Sequence, residues 1–421
     1  MKFRFAAMTV AAMLPVPLLA QTQQVRPPIA VYWMSAETAG GLAMGIPAGA
    51  GAFMPPGMQG GKRMKLELGS SLQASGEAHA AHAIPAALAM GQSLPLLTPI
   101  APRVERAPGT EREQEPEEYR HPKGRMLIYW GCGETVRPGQ PVIIDFASLD
   151  PQQAARVFHS HGISRPRGPA PGRNRTYGTW PNQQDTRPIP AAASLQGEHV
   201  VSGNYSPEIR FTVGARHDFM DAVNFEPVRK TQAGAFAVQW KTIPTATGYF
   251  AMAMGQGEDR NDVVTWSSSD VQEMGQTLMD YISPAQVGRL IGEKVVMPPQ
   301  TTQCAVPAGV FKKEGAMFNF IAYGNELNLV YPPRPKDPKQ TWEQEWAVKL
   351  RLKSTAMTLL AEGAGGMHGA SPPAMQRGAE PATTPSPQAE NPPAQTDKPQ
   401  APTPPDAVQE GVKALRGILH F

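Results

Sequence analysis

This chain of 421 residues is poor in cysteine, in charge and in the short motifs that mark common enzymes. It has two cysteines, and Asp, Glu, Lys and Arg together make 18% of it. No GxSxG, P-loop, dinucleotide, HExxH or CxxC pattern occurs. The formal net charge of +3 is too small to predict a polyanionic partner by itself. These absences argue against a familiar hydrolase, a zinc protein or a nucleic-acid-binding protein, and no cofactor is predicted.

The chain also lacks an apolar run of the roughly 20 residues that a transmembrane helix needs. The apolar segment over residues 5–19 is shorter and contains Pro15 and Pro17, which would break a spanning helix. Basic residues precede this segment, and Ala20 stands before a polar run. This is the pattern of a secretory signal peptide, so residues 1–20 are predicted to direct export. No cysteine lies near the expected cut, so a lipoprotein is not expected.

Proline and glycine are abundant, with 45 and 40 residues. A chain with so many breakers is not mostly helical, because each interior proline costs about 3 kcal/mol in a helix. Several short segments alternate apolar and polar residues as half-buried strands do, among them Met64–Leu68, Ile209–Val213 and a predicted final edge strand at Trp346–Leu352. We therefore predict a mainly β fold, with one or more antiparallel β-sandwich domains.

The two cysteines, Cys132 and Cys304, would meet an oxidising environment after export. A disulfide between them is the favoured interpretation, and two buried, unpaired thiols are the alternative. The bridge would close a loop of 172 residues. In the chain-entropy treatment such a loop contributes about 5 kcal/mol, as an upper bound.

Composition divides the chain into segments. Gly- and Pro-rich stretches, a charged stretch and a long tract without aromatic residues separate the segments that alternate as strands do. The predicted order is a signal peptide (1–20), an N-terminal β region (25–102), a charged linker (103–124), a β segment that completes the N-terminal domain (125–161), an Arg- and Pro-rich loop (162–197), a β-sandwich domain (208–360), a disordered linker (363–405) and an amphipathic helix (406–421).

A weak echo connects the N-terminal β region with the β segment that follows the linker. Tyr32–Trp33 and Glu37–Thr38 recur, at the same spacing, as Tyr129–Trp130 and Glu134–Thr135. Chance is the favoured interpretation of four matching positions, and a duplicated β unit is the alternative.

A tryptophan strand in the sandwich region carries a family resemblance. Val238–Trp240 is followed by Pro244, Ala246 and Tyr249. This order resembles the B-to-C strand region of fibronectin type III domains, in which a tryptophan strand precedes a Pro-x-Ala-x-x-Tyr turn. Phe318–Tyr323 is similar to their F strand. The resemblance covers about residues 208–335, implies an antiparallel sandwich and implies no active site.

Two short helices are predicted within this region and depart from the fibronectin pattern. The first is expected to begin near Ser268 or Ser269. The second begins after Ser283, a favourable N-cap, with Pro284 at the first helical position.

The Arg- and Pro-rich loop is a candidate binding site. Arginines interleaved with aromatic rings suit acidic polymers, because guanidinium groups form bidentate contacts and rings stack. The candidate residues are Arg165, Arg167, Arg173, Arg175, Tyr177 and Trp180, with Arg187 further along the loop. A solvated loop without a ligand is the favoured interpretation, and binding of an acidic polymer is the alternative.

Two histidine pairs are weak candidates for metal ligands. His159 and His161 share one side of an extended segment, and His79 and His82 share a turn of a helix. No third ligand is fixed by spacing, although His199, His217, Asp218 and Asp221 are available. Surface histidines without a metal are the favoured interpretation, so no metal site is predicted.

The last residues carry apolar side chains at helical spacing: Val408, Val412, Leu415, Ile418, Leu419 and Phe421. So short a helix is marginal alone in water and is expected to order on a membrane surface or in the groove of a partner. Folding back onto the β domain is the alternative. An outer-membrane barrel is not expected, because no series of ten-residue alternating strands is present.

We therefore expect an exported, non-catalytic envelope adaptor or binding protein, periplasmic or associated with the outer membrane. Its expected partner is an envelope protein, a membrane surface or an acidic polysaccharide, and not nucleic acid. A carbohydrate-processing or other hydrolytic enzyme and a plain polysaccharide-binding module are the alternatives.

Overall fold

The computed structural model describes residues 23–43, 60–100, 124–148, 161–312 and 315–364. The predicted signal peptide, nearly all of the charged linker and His159 lie outside the described residues. So do the Pro-rich linker beyond residue 364 and all six apolar residues of the predicted terminal helix.

Strands dominate the described residues, which confirms the mainly β prediction. Within them we find one α-helix, α1 (Pro284–Gly292), and short 3-10 turns. The strands are β1 (Val25–Arg26), β2 (Ala30–Ala43), β3 (Gly61–Ser70), β4 (Ala80–Ala83), β5 (Ser93–Leu96), β6 (Arg125–Trp130), β7 (Val142–Asp145), β8 (Thr176–Trp180), β9 (Gly197–Gly203), β10 (Ser206–Val213), β11 (Arg229–Lys230), β12 (Phe236–Gln239), β13 (Gly248–Gln256), β14 (Val263–Ser267), β15 (Gln303–Val306), β16 (Ala316–Tyr331), β17 (Trp342–Glu343) and β18 (Trp346–Leu360).

The main sheet has nine of the described strands in the order β7-β6-β14-β13-β16-β18-β2-β3-β8. Most neighbours are antiparallel, but β6 and β14 are parallel, and so are β2 and β18. The sheet is therefore mixed rather than purely antiparallel. Parallel neighbours need long connections, so each of these pairs joins segments far apart in the sequence.

This sheet joins segments that the sequence assigns to separate regions. Strands β2 and β3 of the N-terminal β region continue the sheet from β18 at the end of the sandwich region. Strand β6, from the segment after the charged linker, pairs with β14. Consequently β18 lies inside the sheet, and the expectation that Trp346–Leu352 forms an edge strand is wrong. Alternation reveals which face of a strand is buried, but not how many neighbours the strand has.

One face of the main sheet forms the large core with two smaller sheets, β10-β9-β4-β5 and β11-β12-β15. Alternate residues of β2 and β18 point into this core, for example Tyr32, Met34, Leu350 and Leu352, all of which are buried. They meet residues of the smaller sheets such as Phe211. Each such large side chain stabilises the fold by about 1.5–3 kcal/mol when it leaves water.

Helix α1 packs on the opposite face of the main sheet. The Ser283 hydroxyl accepts a hydrogen bond from Gln286 N at 3.4 Å, and Pro284 is the first helical residue, as predicted. Val287 and Leu290 are buried against Phe250 and its neighbours. No helix in the described part of the chain is long and apolar enough to cross a membrane.

The first predicted helix is wrong. Residues near Ser268 and Ser269 form the end of β14 and a turn, followed only by a 3-10 turn at Gln276–Leu278. The Ser268 hydroxyl accepts from Ala251 N at 2.9 Å, and the Ser269 hydroxyl accepts from Val271 N at 3.2 Å. A local bond from the backbone to a side chain, such as the one at Ser269, competes with helix formation.

The predicted disulfide between Cys132 and Cys304 is present. It ties the chain just beyond β6 to β15 and thus links the main sheet to one of the smaller sheets.

The echo between the two Tyr-Trp segments has no matching local structure: Glu37 and Thr38 lie in β2, whereas Glu134 and Thr135 follow the end of β6.

Candidate functional site

The two aromatic residues of the Arg- and Pro-rich loop are buried, contrary to the interpretation that they stack on a ligand. Tyr177 and Trp180 lie in β8 and are 6% and 1% exposed. The Tyr177 hydroxyl donates to Glu67 Oε1 at 3.1 Å, and burial raises the pKa of Tyr177 to about 12. Strand β8 is the last strand of the main sheet, beside β3, with one isolated bridge to Leu97. The rings are covered because both faces of β8 are packed, and residues 177–180 are all buried.

The arginines of this loop do not converge on one site. Four of them donate to separate parts of the chain, and Arg167 is exposed. The partners are the Thr277 carbonyl for Arg165, the Gly168 carbonyl for Arg173, Gln73 Oε1 for Arg175 and the Asp185 carboxylate for Arg187. Hydrogen bonding and charge from Arg187 hold the pKa of Asp185 below its usual range.

The histidines that the sequence offers as metal ligands take other partners. His161 Nδ1 is 2.8 Å from Glu273 Oε2, while its neighbour His159 lies outside the described residues. His79 is exposed, and its ring contacts the Glu77 carbonyl. Within the described part of the chain, no three His, Cys, Asp or Glu side chains are grouped so that they could hold a metal ion.

His82 and His199 instead form a buried hydrogen-bonded chain with Tyr32. The Tyr32 hydroxyl is 2.9 Å from His82 Nδ1, and His82 Nε2 is 2.9 Å from His199 Nδ1. His199 Nε2 is 2.7 Å from the Leu195 carbonyl. All three side chains are fully buried, and Phe211 stacks on both imidazoles.

The Leu195 carbonyl fixes the direction of every bond in this chain. A carbonyl only accepts, so His199 Nε2 carries its proton and His199 Nδ1 is an acceptor. His82 Nε2 therefore donates to it, which leaves His82 Nδ1 to accept from the Tyr32 hydroxyl. Burial lowers the pKa of both imidazoles. Both rings are neutral, and the chain is a satisfied structural element inside the core.

The opposite face of the main sheet carries a half-buried row of cations that the sequence analysis did not single out. Lys349, Arg351 and Lys353 alternate with the core residues of β18, so all three point away from the core. We call these three residues the cationic ladder. In the parallel register with β2, they lie opposite Trp33, Ser35 and Glu37 in turn.

Aromatic rings flank the cationic ladder. The Arg351 guanidinium carbon lies 4.9 Å from the ring centre of Trp33 and 4.4 Å from that of Tyr281. Lys353 Nζ is 4.6 Å from the Tyr281 ring, and Lys349 Nζ is 5.8 Å from the Trp33 ring. Such contacts favour a cation over an aromatic face. Burial raises the pKa of Tyr281, so this hydroxyl stays protonated at neutral pH.

Carboxylates compensate the two lysines of the ladder. Lys349 Nζ is 2.7 Å from Glu326 Oε2, and both side chains are largely buried. Lys353 Nζ lies 3.7 Å from Glu37 Oε2 and 3.8 Å from Asp280 Oδ1. The exposed rim of the cluster adds Arg165, whose Nη1 is 3.8 Å from Asp280 Oδ2.

Arg351 differs from the two lysines, because none of the carboxylates in the described chain lies within 4 Å of its guanidinium. Its Nε donates to the Ser35 hydroxyl at 2.7 Å. No hydrogen bond from either Nη atom to a described residue is found. This half-buried guanidinium therefore keeps its terminal donors available.

Loops border the cationic ladder on both sides. The segment that contains Gly168 lies against Trp33, since a Cβ at Gly168 would be 2.7 Å from Trp33 Cε3. The loop at residues 276–282 supplies Tyr281 and Asp280. Beyond Glu37, a cavity of about 160 Å³ continues along the sheet, lined by Glu37, Arg63, Met279, Asn319, Thr355 and Met357 among others.

The signal for this site was present in the sequence. Lys349, Arg351 and Lys353 occur at every second position, and in a strand that spacing places them on one face. An edge strand would have left them in water as ordinary solubilising charges. Only the pairing of β18 with β2 and β16 makes the row half-buried.

No protein family model, no curated protein and no solved structure matches this chain.

Proposed function

We propose that this chain is an exported, non-catalytic binding protein of the bacterial envelope and that the cationic ladder is its binding surface. The observation that carries this proposal is the half-buried row of Lys349, Arg351 and Lys353 between Trp33 and Tyr281. Cations with aromatic neighbours recognise acidic groups, through charge and through directed N–H donors.

Export is supported by two independent features. The first 20 residues have the pattern of a signal peptide. The Cys132–Cys304 disulfide is typical of proteins that fold outside the reducing cytosol. A periplasmic or outer-membrane-associated location is part of the proposal.

The fibronectin type III resemblance of residues 208–335 is also a proposal. In its favour, Trp240 and Tyr249 pack edge to face at 5.8 Å across the turn between β12 and β13. These two strands lie in different sheets, as the B and C strands of a sandwich do, and β13 pairs with β16. The insertion of α1 and the pairing with β2 extend the domain beyond that pattern.

The adaptor role proposed for residues 406–421 rests on their sequence pattern, since they lie outside the described residues. Cells that make the full chain, a chain ending at Pro405 and a full-length Leu415→Glu chain are fractionated into cytosol, periplasm and membrane. We expect a processed full-length protein that associates with membranes, and both variants to be soluble in the periplasm.

Two results would contradict the proposal. Unprocessed protein in the cytosol would refute export. Equal membrane association of all three chains would refute anchoring by the terminal helix.

Among the alternatives, the burial of Tyr177 and Trp180 weighs against a polysaccharide-binding surface built on those rings. No observation on the described residues favours the hydrolytic alternative.

A further inference from the structure

The cationic ladder is largely closed to solvent, although its proposed function requires it to meet a ligand. Trp33 is 6% exposed. The side chains of Lys349 and Lys353 are 18% and 12% exposed. Side chains buried to this extent can contact a ligand only after an element that covers them has moved. If the ladder binds a ligand, its cover must therefore be displaceable.

One element that covers the ladder is the segment of residues 161–168, which we call the strap. Its last residue, Gly168, lies against the ring of Trp33. A Cβ at Gly168 would be 2.7 Å from Trp33 Cε3 and 2.8 Å from Trp33 Cζ3. These distances are shorter than an ordinary van der Waals contact, so glycine lets the backbone of the strap touch the ring. The strap therefore closes over Trp33.

The middle of the strap passes the loop at residues 276–282. Arg165 donates through Nη2 to the Thr277 carbonyl at 2.5 Å, and its Nη1 is 3.8 Å from Asp280 Oδ2. The other carboxylate oxygen of Asp280 is 3.8 Å from Lys353 Nζ. The strap and the cationic ladder thus share one carboxylate, which places the strap beside the ladder.

Helix α1 fastens the first half of the strap through side chains. Gln286 Nε2 donates to the Ser164 carbonyl at 2.8 Å, and Arg289 Nη2 donates to the His161 carbonyl at 3.0 Å. Arg289 also pairs with Glu293 on the helix. Water can replace hydrogen bonds of this kind when the strap leaves, because the net contribution of such a bond is small.

Within the described residues, no backbone–backbone hydrogen bond holds the strap. Ile163 packs partly against the apolar cluster beneath α1, and His161 is bonded to Glu273. Residues 164–167 are exposed, whereas Pro169 is buried. A segment with so few buried contacts opens locally at a lower free-energy cost than a strand of the core.

We propose that the strap is a displaceable cover of the cationic ladder, which swings about its buried end at Pro169 and uncovers Trp33 and Arg351 for an acidic ligand. The inference rests on the proposed binding function, because the ligand gives the strap its reason to open. A ligand that binds only the open form has its apparent affinity reduced by the fraction of chains that are open. A substitution that releases the strap should therefore strengthen binding.

The test compares the closed and the released strap in the full processed chain by hydroxyl-radical footprinting. Mass spectrometry gives the oxidation rate of each tryptophan. Gly168→Ala releases the strap, because the added methyl group would overlap the Trp33 ring, while the backbone at Gly168 lies outside the left-handed region that alanine avoids. We expect Trp33 to be oxidised at least about threefold faster in this variant. Trp266, which is 1% exposed in the core, should keep its rate.

A second variant releases the other end of the strap and leaves the ring contact intact. Gln286→Ala combined with Arg289→Ala removes both fastenings on α1 and should raise the oxidation of Trp33 in the same way. It keeps the inference testable if Gly168→Ala fails to fold, which circular dichroism and the thermal midpoint establish. Gly214→Ala is the matched control, since no atom lies within 4 Å of its added Cβ, and it should be oxidised like the wild-type chain.

Binding of poly-L-glutamate, measured by calorimetry, tests the consequence for a ligand. We expect the chain with a released strap to bind this acidic polymer at least about threefold more tightly than the wild-type chain. Equal affinity of the two chains refutes the strap as a cover of the ladder. Absence of binding by both chains refutes instead the proposed function of the ladder as a surface for acidic groups, and the footprint alone then decides the inference.

Two footprints would overturn the inference. Unchanged oxidation of Trp33 in a folded variant of either kind shows that the strap is not displaceable. A parallel rise at Trp33 and Trp266 assigns the exposure to opening of the whole fold and not to the strap. Neither result bears on the fractionation experiment, so failure of the strap and failure of export are distinguishable.

Discussion

The buried chain of Tyr32, His82 and His199 predicts that the protein loses stability in mild acid. Two bonds of this chain require neutral imidazoles, because His82 Nδ1 accepts from Tyr32 and His199 Nδ1 accepts from His82. A second proton on His199 would set two N–H groups against each other and place a charge among buried rings. The folded protein therefore resists protonation, whereas the unfolded chain does not.

The size of the effect follows from proton linkage. Imidazole has a reference pKa of 6.5, and burial lowers the pKa of both histidines in the folded state. Below about pH 6.5 the unfolded chain binds more protons than the folded chain. The stability that the two neutral imidazoles contribute is therefore fully present above that pH and is lost as the pH decreases. Each imidazole that stays neutral costs about 1.4 kcal/mol at about pH 5.5 relative to pH 7.5. The two together cost at most about 2.7 kcal/mol, which is reached when both rings stay neutral in the folded chain.

The assay is urea unfolding of the chain with its disulfide intact, at a series of pH values between these two limits. The free energy of unfolding in water is extrapolated at each pH. His82→Gln and His199→Gln each remove one titrating group while keeping a side chain that can donate and accept. We expect each single variant to be less stable at neutral pH and to lose only about half of the pH dependence.

His79→Gln serves as the control, because His79 is exposed and contacts only the Glu77 carbonyl through its ring. It should leave the pH dependence unchanged. The reasoning is refuted if the wild-type chain keeps its full stability at about pH 5.5. It is refuted equally if His82→Gln and His199→Gln retain the complete pH dependence.

Two further predictions concern the scaffold. Replacing Cys132 and Cys304 by Ala should lower the free energy of unfolding by up to about 5 kcal/mol, measured against the oxidised wild-type chain, and a loss below about 1 kcal/mol would contradict the chain-entropy argument. Gly178→Ala should cost about 1–3 kcal/mol, since its Cβ would lie 2.5 Å from the Tyr205 hydroxyl oxygen. Gly214→Ala, with no atom within 4 Å of the added Cβ, is the control and should unfold like the wild-type chain.

Local features were predictable from the sequence. The mainly β class followed from alternation and from the abundance of proline and glycine. The start of α1 followed from Ser283 and Pro284, because N-cap chemistry acts within one turn. The disulfide followed from having two cysteines in a chain with an export signal. Each of these inferences needs only neighbouring residues or composition.

Features that depend on distant strands were not predictable in the same way. The aromatic residues of the Arg- and Pro-rich loop look exposed in the sequence, but β8 joins β3, and Trp180 is buried. His82 and His199 meet because β4 and β9 are neighbours, and nothing in the spacing of 117 residues indicates this. The cations of β18 lie beside Trp33, Ser35 and Glu37 only because β2 pairs with β18 in a parallel register.

The buried chain and the cationic ladder are connected through β2. Tyr32 and Trp33 are consecutive residues, and in a strand consecutive side chains point to opposite faces. Tyr32 therefore donates to His82 in the core, while Trp33 contacts Arg351 on the other face. A ligand that binds only the folded state stabilises it by about 2.7 kcal/mol at 100 times its dissociation constant. By mass action on the folded state, a ligand of the ladder at that concentration would offset the loss of stability in mild acid, which is at most of the same size.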